Sequence, residues 1–257
     1  MTDDIDEARD WQGNEVDCAS CPHQPLLASG LCRLKHACVN DRYARRIDRF
    51  FNWNPKLADG YVTHPHFEVR AIAAKHASLF LLPPLLDDAE ETVRWNAARR
   101  LPKRYSLQLR NDPHREVRIR IVPLLDDAEL VPMMGDPDYY VRLVIARRVT
   151  PPLLARMVRD EEAEVRRVVA RRIQPEWLLQ MADDPDAAVR LEVAQRLAPH
   201  LLHRLRGDPD WRVRYEVASR VPVSKVSELS DDSDSLVREM VQSRLLGKHE
   251  LLRDVPV

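Results

Sequence analysis

The strongest constraint on the fold of this chain is a pattern that returns every 24 residues. A Val-Arg pair recurs eight times, and an Asp stands five residues before each Val except in the first repeat, where His64 replaces it. The pairs are Val69-Arg70, Val93-Arg94, Val117-Arg118, Val141-Arg142, Val165-Arg166, Val189-Arg190, Val213-Arg214 and Val237-Arg238. A fixed period of about 20 to 50 residues is typical of solenoids, whose units bury their apolar faces by stacking on their neighbours. The sequence therefore predicts a stack of eight repeats over residues 57–257.

Each repeat contains the signals of one α-helix. In the sixth repeat, Asp184 is predicted to be the N-cap and Pro185 the first helical residue, where a missing N–H has no cost. Val189 and Val193 lie four residues apart, on one predicted buried face. An Ala follows the second apolar position in most repeats, which allows close packing, and a Pro nine or ten residues after the Val of the pair ends the helix in most of them.

The length that remains decides the fold class. Two full antiparallel helices need about 35 to 45 residues, and a leucine-rich repeat needs a strand with alternating leucines, which is missing here. One α-helix and one short helical turn fit the repeat, and the turn is predicted to be a 3₁₀-helix of about 3 to 4 residues. We therefore predict an all-α superhelix without a sheet.

A separate module precedes the repeats and contains every cysteine of the chain. Four cysteines lie in the spacing CxxC, ten residues, Cys, five residues, Cys: Cys18, Cys21, Cys32 and Cys38. In a reducing cytosol, clustered thiols favour a metal site over disulfides or free thiols. Four thiolates can hold either a structural zinc ion or a [4Fe-4S] cluster, and the spacing leaves this choice open. His23 and His36 are candidate substitute zinc ligands, although their interpretation as polar surface residues is favoured.

The surroundings of the module suggest how it is attached. Residues 1–17 are acidic and are predicted to form a solvated, flexible arm. Residues 18–56 form the cysteine domain, in which basic residues outnumber acidic ones. An amphipathic helix starting at Cys38 is predicted to lay its apolar face, with Ile47, Phe50 and Phe51, on the first repeat. The module is then either a structural cap on the stack or a redox-active or sensing element.

Repeated arginines raise a second functional question. The Arg of the Val-Arg pair and another Arg six residues later form ladders when repeats stack. The ladders either pair with the repeated Asp residues or follow a nucleic-acid backbone. The net charge of −1 does not indicate a polyanion partner, so structural Asp–Arg pairing is the favoured interpretation.

No motif in the chain indicates catalysis or membrane insertion. The sequence contains neither a nucleophile elbow nor a phosphate-binding glycine loop, so we expect that it is not an enzyme. It also lacks an apolar run near the roughly 20 residues that span a bilayer, and its acidic start does not resemble a signal peptide. A cytoplasmic location is expected.

The 24-residue repeat with Asp-Pro, Val-Arg and Val-Ala-x-Arg, preceded by the four-cysteine module, resembles the leucine-rich repeat variant family. The resemblance implies a right-handed superhelix of alternating α- and 3₁₀-helices. It also implies an N-terminal [4Fe-4S] domain with Cys18, Cys21, Cys32 and Cys38 as ligands, and a bacterial setting associated with nitrogen fixation. It therefore favours iron–sulfur over zinc but supplies no reaction.

The functional hypothesis from the sequence is a scaffold that binds a protein partner, with a redox-responsive cluster. The alternatives are a nucleic-acid-binding solenoid in which the metal domain is a structural cap, and an electron-transfer protein.

Overall fold

The computed structural model describes residues 7–247 and divides the chain into two compact units, Met1–Asp126 and Asp127–Val257. Within the described residues there are helices but no strands, apart from two isolated antiparallel bridges, Arg9 with Glu15 and Arg33 with Ala37. The predicted all-α class is confirmed. No helix in this part of the chain combines the length and apolar character needed to cross a membrane.

The helices alternate in type along both units. The α-helices of the first unit are α1 Gln24–Ala28, α2 Ala44–Trp53, α3 Phe67–Ala73, α4 Glu91–Ala98, α5 Lys103–Ser106 and α6 Arg115–Ile121. Its 3₁₀-helices are η1 Pro55–Tyr61, η2 Leu79–Leu81, η3 Pro83–Asp87, η4 Leu107–Asn111 and η5 Val122–Leu124. The α-helices of the second unit are α7 Asp127–Leu130, α8 Tyr139–Arg148, α9 Ala163–Arg172, α10 Ala187–Arg196, α11 Trp211–Arg220, α12 Val223–Val226 and α13 Ser235–Leu245. Its 3₁₀-helices are η6 Val131–Met133, η7 Pro151–Met157, η8 Pro175–Met181, η9 Pro199–Leu205 and η10 Ser227–Leu229.

All eight predicted repeat helices are present, and those within each unit stack as expected. Each holds one Val-Arg pair, and the valines of these pairs are at most 1% exposed. Within the first unit α3 packs on α4 and α4 on α6, and within the second unit α8, α9, α10, α11 and α13 pack in succession. Neighbouring repeats therefore supply the apolar contacts that a single repeat cannot make for itself.

The longest 3₁₀-helices exceed the predicted length: η1, η7, η8 and η9 each contain seven residues and begin at a proline. Four others, η2, η5, η6 and η10, contain three residues, as predicted. In η7, Leu154 and Met157 are buried three residues apart, which matches the three-residue turn of a 3₁₀-helix. Each turn of η7 buries one side chain, and this burial stabilises a 3₁₀-helix that is longer than the usual length of about 3 to 4 residues.

The predicted N-cap is wrong by two residues. Helix α10 begins at Ala187, and its N-cap is Asp186, whose carboxylate accepts hydrogen bonds from the backbone N–H of Ala188 (2.8 Å) and Val189 (3.2 Å). Asp184 instead accepts the backbone N–H of Asp186 at 2.9 Å. This contact closes a tight turn before the helix, so Pro185 lies in the turn and not at the first helical position.

The repeated Asp has its main role between repeats. Arg190 Nε and Nη2 donate to the two carboxylate oxygens of Asp208 at 2.7 and 2.9 Å, while Arg190 Nη1 donates to the carbonyl oxygen of Asp184 at 2.7 Å. The Arg190–Asp208 pair is one of six equivalent pairs within the units, the others being Arg70–Asp88, Arg94–Asp112, Arg142–Asp160, Arg166–Asp184 and Arg214–Asp232. The predicted structural Asp–Arg ladder is confirmed.

The arginine six residues after the pair also links repeats. Arg196 Nη1 and Nη2 donate to the carbonyl oxygens of Ala170 (2.6 Å) and Ile173 (2.7 Å), at the end of the preceding helix α9. The last carbonyls of a helix have no partner inside it and attract positive charge. Arg100, Arg172, Arg220 and Arg244 make equivalent contacts with the preceding helix.

We expect Arg196→Lys to lower the free energy of unfolding by about 1 to 2 kcal/mol, because a lysine cannot reproduce the fork that bonds two carbonyls. Urea unfolding followed by circular dichroism would measure the change. Arg206→Lys is the matched control, because Arg206 forms an exposed ion pair with Glu228. This substitution is expected to change the free energy of unfolding by less than about 0.5 kcal/mol. Equal effects of the two substitutions would contradict this role for Arg196.

Helix α2 continues the repeat register beyond the eight repeats. Arg46 lies 24 residues before Arg70, and it is buried to the same degree as the paired arginines of the ladder. Pro55 begins η1 ten residues after the equivalent of the pair's Val, as Pro151 begins η7. The helix starts at Ala44, six residues after the predicted start at Cys38.

The capping role predicted for α2 is confirmed. Ile47, Phe50 and Phe51 are all completely buried, and α2 packs on α3. The helix therefore covers the first repeat, as solenoid ends require.

The predicted acidic arm is ordered where the structure describes it. Residues 1–6 lie outside the described part of the chain. In residues 7–17, the Asp10 carboxylate accepts the backbone N–H of Asn14 at 2.8 Å, and Trp11 stacks on His66 with ring centroids 5.7 Å apart. The backbone oxygen of Arg9 also accepts the N–H of Arg42 at 2.9 Å. This part of the segment packs against the cysteine domain and the first repeat, in contrast to the solvated arm that was expected.

One carboxylate near α2 is left without a partner. Glu68, in α3, lines a cleft of about 440 Å³ together with Ala44, Phe67 and Ile72, and its Oε2 atom is buried with no hydrogen bond in the structure. Burial raises the pKa of Glu68. The charged form is therefore disfavoured in the folded state.

Replacing Glu68 with Gln is expected to raise the melting temperature at pH 7 and to have little effect below about pH 4, near the ordinary pKa of a glutamate. A carboxyl whose pKa is raised by folding destabilises the fold at pH values above its folded pKa, and this penalty disappears once the group is protonated in both states. Thermal unfolding of both proteins between pH 3.5 and 7.5 tests the prediction. A difference that stayed constant across this range would show that ionisation is not its cause.

Candidate metal centre

The loop that follows α1 brings two cysteines together. Arg33 and Ala37 exchange backbone hydrogen bonds of 2.9 and 2.8 Å, so Cys32 and Cys38 stand next to each other at the open end of a tight hairpin. The Cys38 and Cys32 side chains are hydrogen-bonded to each other. The five intervening residues, which appeared from the sequence to stretch this pair, are the turn that closes it.

The other two cysteines precede α1. The charges of Cys18 and Cys21 raise the pKa of Cys32 after the larger effect of burial, so the three sulfur atoms belong to one electrostatic environment. Cys32 and Cys38 are buried, whereas Cys18 and Cys21 are half-buried. The charges of Cys18 and Cys21 therefore act on the protonation of Cys32, and these two cysteines are the more exposed of the four.

The protonation of these thiols depends on what binds them. Burial is the largest cause that raises the pKa of Cys38, which reaches about 12. Burial also raises the pKa of Cys18 and of Cys32. Thiols of this kind stay protonated at neutral pH unless a cation replaces the proton, and binding of metal then releases protons.

Several N–H groups point at the sulfur atoms. The backbone N–H of His23 and the side-chain amide of Asn40 both donate to Cys21 Sγ at 3.4 Å. The backbone N–H of Asn40 also lowers the pKa of Cys38, and that of Arg33 lowers the pKa of Cys32, although burial outweighs both effects. Donors of this kind stabilise thiolates and tune the potential of iron–sulfur clusters.

The donor set fits an iron–sulfur cluster by its chemistry. It offers four thiols and several N–H donors in one region, and the nearby carboxylate of Asp41 is already paired with Arg46 at 2.9 Å. As the side chains stand, no group of three or more Cys, His, Asp or Glu residues between positions 7 and 247 is placed to hold a metal ion. The fit therefore rests on the donor set.

The two histidines considered as substitute ligands have other partners. The His23 ring hydrogen-bonds to the Tyr61 hydroxyl and packs on Phe50, with centroids 5.2 Å apart. His36 Nδ1 lies 3.1 Å from the Arg49 guanidinium and its ring packs on Trp53. Both rings attach the cysteine domain to α2 and η1.

Asn40 and Tyr61 are parts of the site that the sequence did not reveal. Burial raises the pKa of Tyr61 to about 12, and the charges of Cys21 and Cys38 contribute to the shift. Asn40 occupies the position that the repeated Asp takes in later repeats, five residues before the equivalent of the Val. The 24-residue register could therefore have indicated Asn40 from the sequence alone. No sequence pattern indicated Tyr61, because it lies outside the cysteine segment.

Comparison with known proteins supports an iron–sulfur cluster in this part of the chain. Residues 8–60 match the family model described as the LRV protein FeS4 cluster. A solved structure of a leucine-rich repeat variant with a novel repetitive structural motif is 40% identical to the chain, with a TM-score of 0.83, and the match covers 89% of this chain and 98% of that one.

A curated relative gives a shorter match. An uncharacterised 27.7 kDa protein in the nifB 3′ region of Rhodobacter capsulatus is 52% identical over 96 residues. The match spans 37% of this chain and 39% of the relative's length. Taken with the match over nearly the whole solved structure, this places the chain in the leucine-rich repeat variant family, with an iron–sulfur cluster domain at its N-terminal end.

Proposed function

We propose that this protein is a non-enzymatic scaffold that binds a protein partner through its repeats, and that the oxidation state of a [4Fe-4S] cluster controls the binding. Cys18, Cys21, Cys32 and Cys38 would hold the cluster. We further propose that it acts in the cytoplasm of a nitrogen-fixing bacterium, in keeping with the nifB-region relative.

The cluster would supply one-electron exchange. The residues of the chain would set its environment: Asn40 and His23 donate hydrogen bonds to sulfur, and Tyr61 and Phe50 enclose the module on the side of the repeats. With one Cys for each iron, no iron remains open to a substrate, which is why we propose a role other than catalysis.

The observation that carries the proposal is the attachment of the cysteine loops to the first helical layer of the stack. Asn54, which follows α2, donates its side-chain amide to the Leu31 oxygen at 2.7 Å, next to Cys32. Arg49 in α2 bonds His36, and Tyr61 in η1 bonds His23. A change of charge at the cluster would act on these contacts, and through them on the helix that packs against the first repeat.

The repeats offer a surface for a partner. In the second unit, Tyr139, Tyr140 and Trp211, which begin helices α8 and α11, are each about two-fifths exposed, and Leu236 at the start of α13 is 46% exposed. Exposed Tyr and Trp side chains are enriched at protein interfaces and often dominate their energetics. A protein partner that contacts the N-terminal ends of these helices is therefore the occupant we favour.

The ladders give no support to the nucleic-acid alternative. The guanidinium groups that suggested a phosphate-binding surface, such as those of Arg190 and Arg196, are hydrogen-bonded to the carboxylates or carbonyls of neighbouring repeats. Arg190 is also only 9% exposed. A phosphate would have to replace bonds that hold the stack together.

Two experiments test the proposal in sequence. Anaerobic purification followed by iron, sulfide and zinc analysis should give about four iron and four sulfide per chain, as the cluster type requires. One zinc without sulfide would contradict the cluster.

The second experiment is capture of proteins from extracts of the native host by the cluster-loaded chain, in oxidised and in dithionite-reduced form. We expect one protein to be retained in only one of the two states, and we expect Tyr140→Ser with Trp211→Ser to abolish its capture. Identical captured proteins in both states would overturn redox control, and no specific protein in either state would overturn the scaffold.

A further inference from the structure

An exposed apolar patch surrounds the hairpin that carries Cys32 and Cys38. It consists of Leu27, Leu31, Leu34 and Trp53, with exposed fractions of 40%, 44%, 36% and 39%. We call it the hairpin patch. The Asn54 side-chain amide donates a hydrogen bond to the backbone oxygen of Leu31, just before the hairpin. The ring of Trp53 packs on His36, which lies in the hairpin turn two residues after Leu34. These contacts hold Trp53 beside the hairpin that carries Leu31 and Leu34.

The hairpin patch lies directly over the cysteine site. Leu31 and Arg33 are the chain neighbours of the buried Cys32, and Ala37 beneath the hairpin precedes the buried Cys38. A molecule seated on the patch would therefore contact Leu31, the chain neighbour of Cys32.

Uncompensated positive charge surrounds the patch. Arg33 and Lys35 lie on the hairpin and Lys56 lies three residues after Trp53, and all three are exposed and without an ion pair to any residue from 7 to 247. Two acidic residues of the same segment are already paired with other basic residues, Asp41 with Arg46 and Asp48 with Lys75. The rim of the patch is therefore basic, although the chain as a whole carries a net charge of −1.

The tip of the hairpin has a costly backbone conformation. Lys35 has φ of +60°, and it is the one non-glycine residue with positive φ in the described part of the chain. A side chain in this left-handed region strains the backbone, a strain that glycine would avoid. The hairpin therefore carries a lysine at its tip, where a glycine would make the backbone locally more stable.

We propose that the hairpin patch is the docking surface of a small acidic electron-carrier protein, whose negative rim pairs with Arg33, Lys35 and Lys56 and whose apolar centre covers Leu31, Leu34 and Trp53. One electron leaves the reduced carrier and enters the oxidised cluster, and no bond forms or breaks. Complexes of electron-carrier proteins typically belong to the transient class of interfaces, below about 1,200 Å², and electrostatic steering raises their rate of association. This inference rests on the proposed cluster and adds the partner that changes its oxidation state.

The test uses the cluster-loaded full chain and an acidic flavodoxin as the probe. Binding of oxidised flavodoxin, which transfers no electron, is measured by calorimetry, and reduction of the cluster by flavodoxin hydroquinone is measured by stopped flow at several salt concentrations. The variant Arg33→Glu with Lys35→Glu and Lys56→Glu is expected to weaken binding and slow reduction at least tenfold at low salt. Leu34→Ser should weaken binding without changing the salt dependence.

Two controls separate docking from other effects. Arg156→Glu with Arg159→Glu and Arg204→Glu makes the same change in net charge at exposed positions of the repeats, and it should leave both measurements nearly unchanged. Lys35→Gly should match or exceed the stability of the parent protein but weaken flavodoxin binding, because it removes the charge and relieves the backbone.

Equal losses in the two triple variants, or no loss in either, would overturn the docking surface. In either of these cases the proposed function would still stand if the hairpin variants captured the scaffold partner in only one redox state. Failure of the chain to bind a cluster at all would overturn both.

Discussion

Replacing Arg190 with Met is expected to lower the free energy of unfolding by about 3 to 5 kcal/mol, the usual cost of leaving a buried charge without its partner. Asp208 is 7% exposed and receives two bonds from Arg190, at 2.7 and 2.9 Å. The substitution also frees the Asp184 oxygen that Arg190 Nη1 bonds. Urea unfolding of the full chain, followed by circular dichroism at 222 nm, measures the loss.

Arg212→Met is the matched control for this prediction. Arg212 also pairs with an aspartate, Asp210, but its side chain is 54% exposed, and exposed pairs contribute less than about 1 kcal/mol. The double variant Arg190→Met with Asp208→Leu should be less destabilised than the sum of the single changes, because no unpaired charge remains. The ladder would lose its assigned role if Arg190→Met cost no more than Arg212→Met.

Replacing Cys38 with Ser is expected to reduce bound iron and sulfide from about four per chain to less than one. Cys38 is 4% exposed and pairs with Cys32 across the hairpin, so neither water nor another side chain is placed to substitute for it. The measurement is iron and sulfide analysis after anaerobic purification, with the visible absorption spectrum. The helical circular dichroism should persist, since each repeat contacts only its neighbours.

His36→Ala separates ligation from packing in the same experiment. The His36 ring bonds Arg49 and packs on Trp53, so its removal should leave the iron and sulfide content unchanged. Retention of a full cluster by Cys38→Ser would contradict the four-cysteine assignment. Loss of iron in the His36 variant would place a histidine among the ligands.

The repeat pattern was a sufficient guide to the helices but not to their caps. Both Asp184 and Asp186 are plausible N-caps by residue type, and the period applies to the whole unit, so it cannot choose between them. The choice follows from Arg166 in the preceding repeat, which holds Asp184 outside the helix. Only the stacked structure brings these two residues together.

The cysteine spacing predicted a metal module, whereas its surroundings depended on the fold. The hairpin that joins Cys32 and Cys38, and the placement of Asn40 and Tyr61 beside the sulfurs, involve contacts between separate segments. The length of η7 to η9 was underestimated for the same reason, because their extension depends on burial against neighbouring helices.

The sequence by itself determined the period, the eight repeat helices, their buried valines and the four candidate ligands, because these depend on local helix signals, apolar spacing and thiol chemistry. Tertiary structure alone decided which charges are paired and which remain free. Arg190 meets its aspartate 18 residues further along the chain, and Arg196 meets its carbonyls 26 and 23 residues earlier, distances that only stacking can bridge. The same stacking pairs the ladder arginines with groups of neighbouring repeats, whereas the basic residues of the hairpin remain exposed.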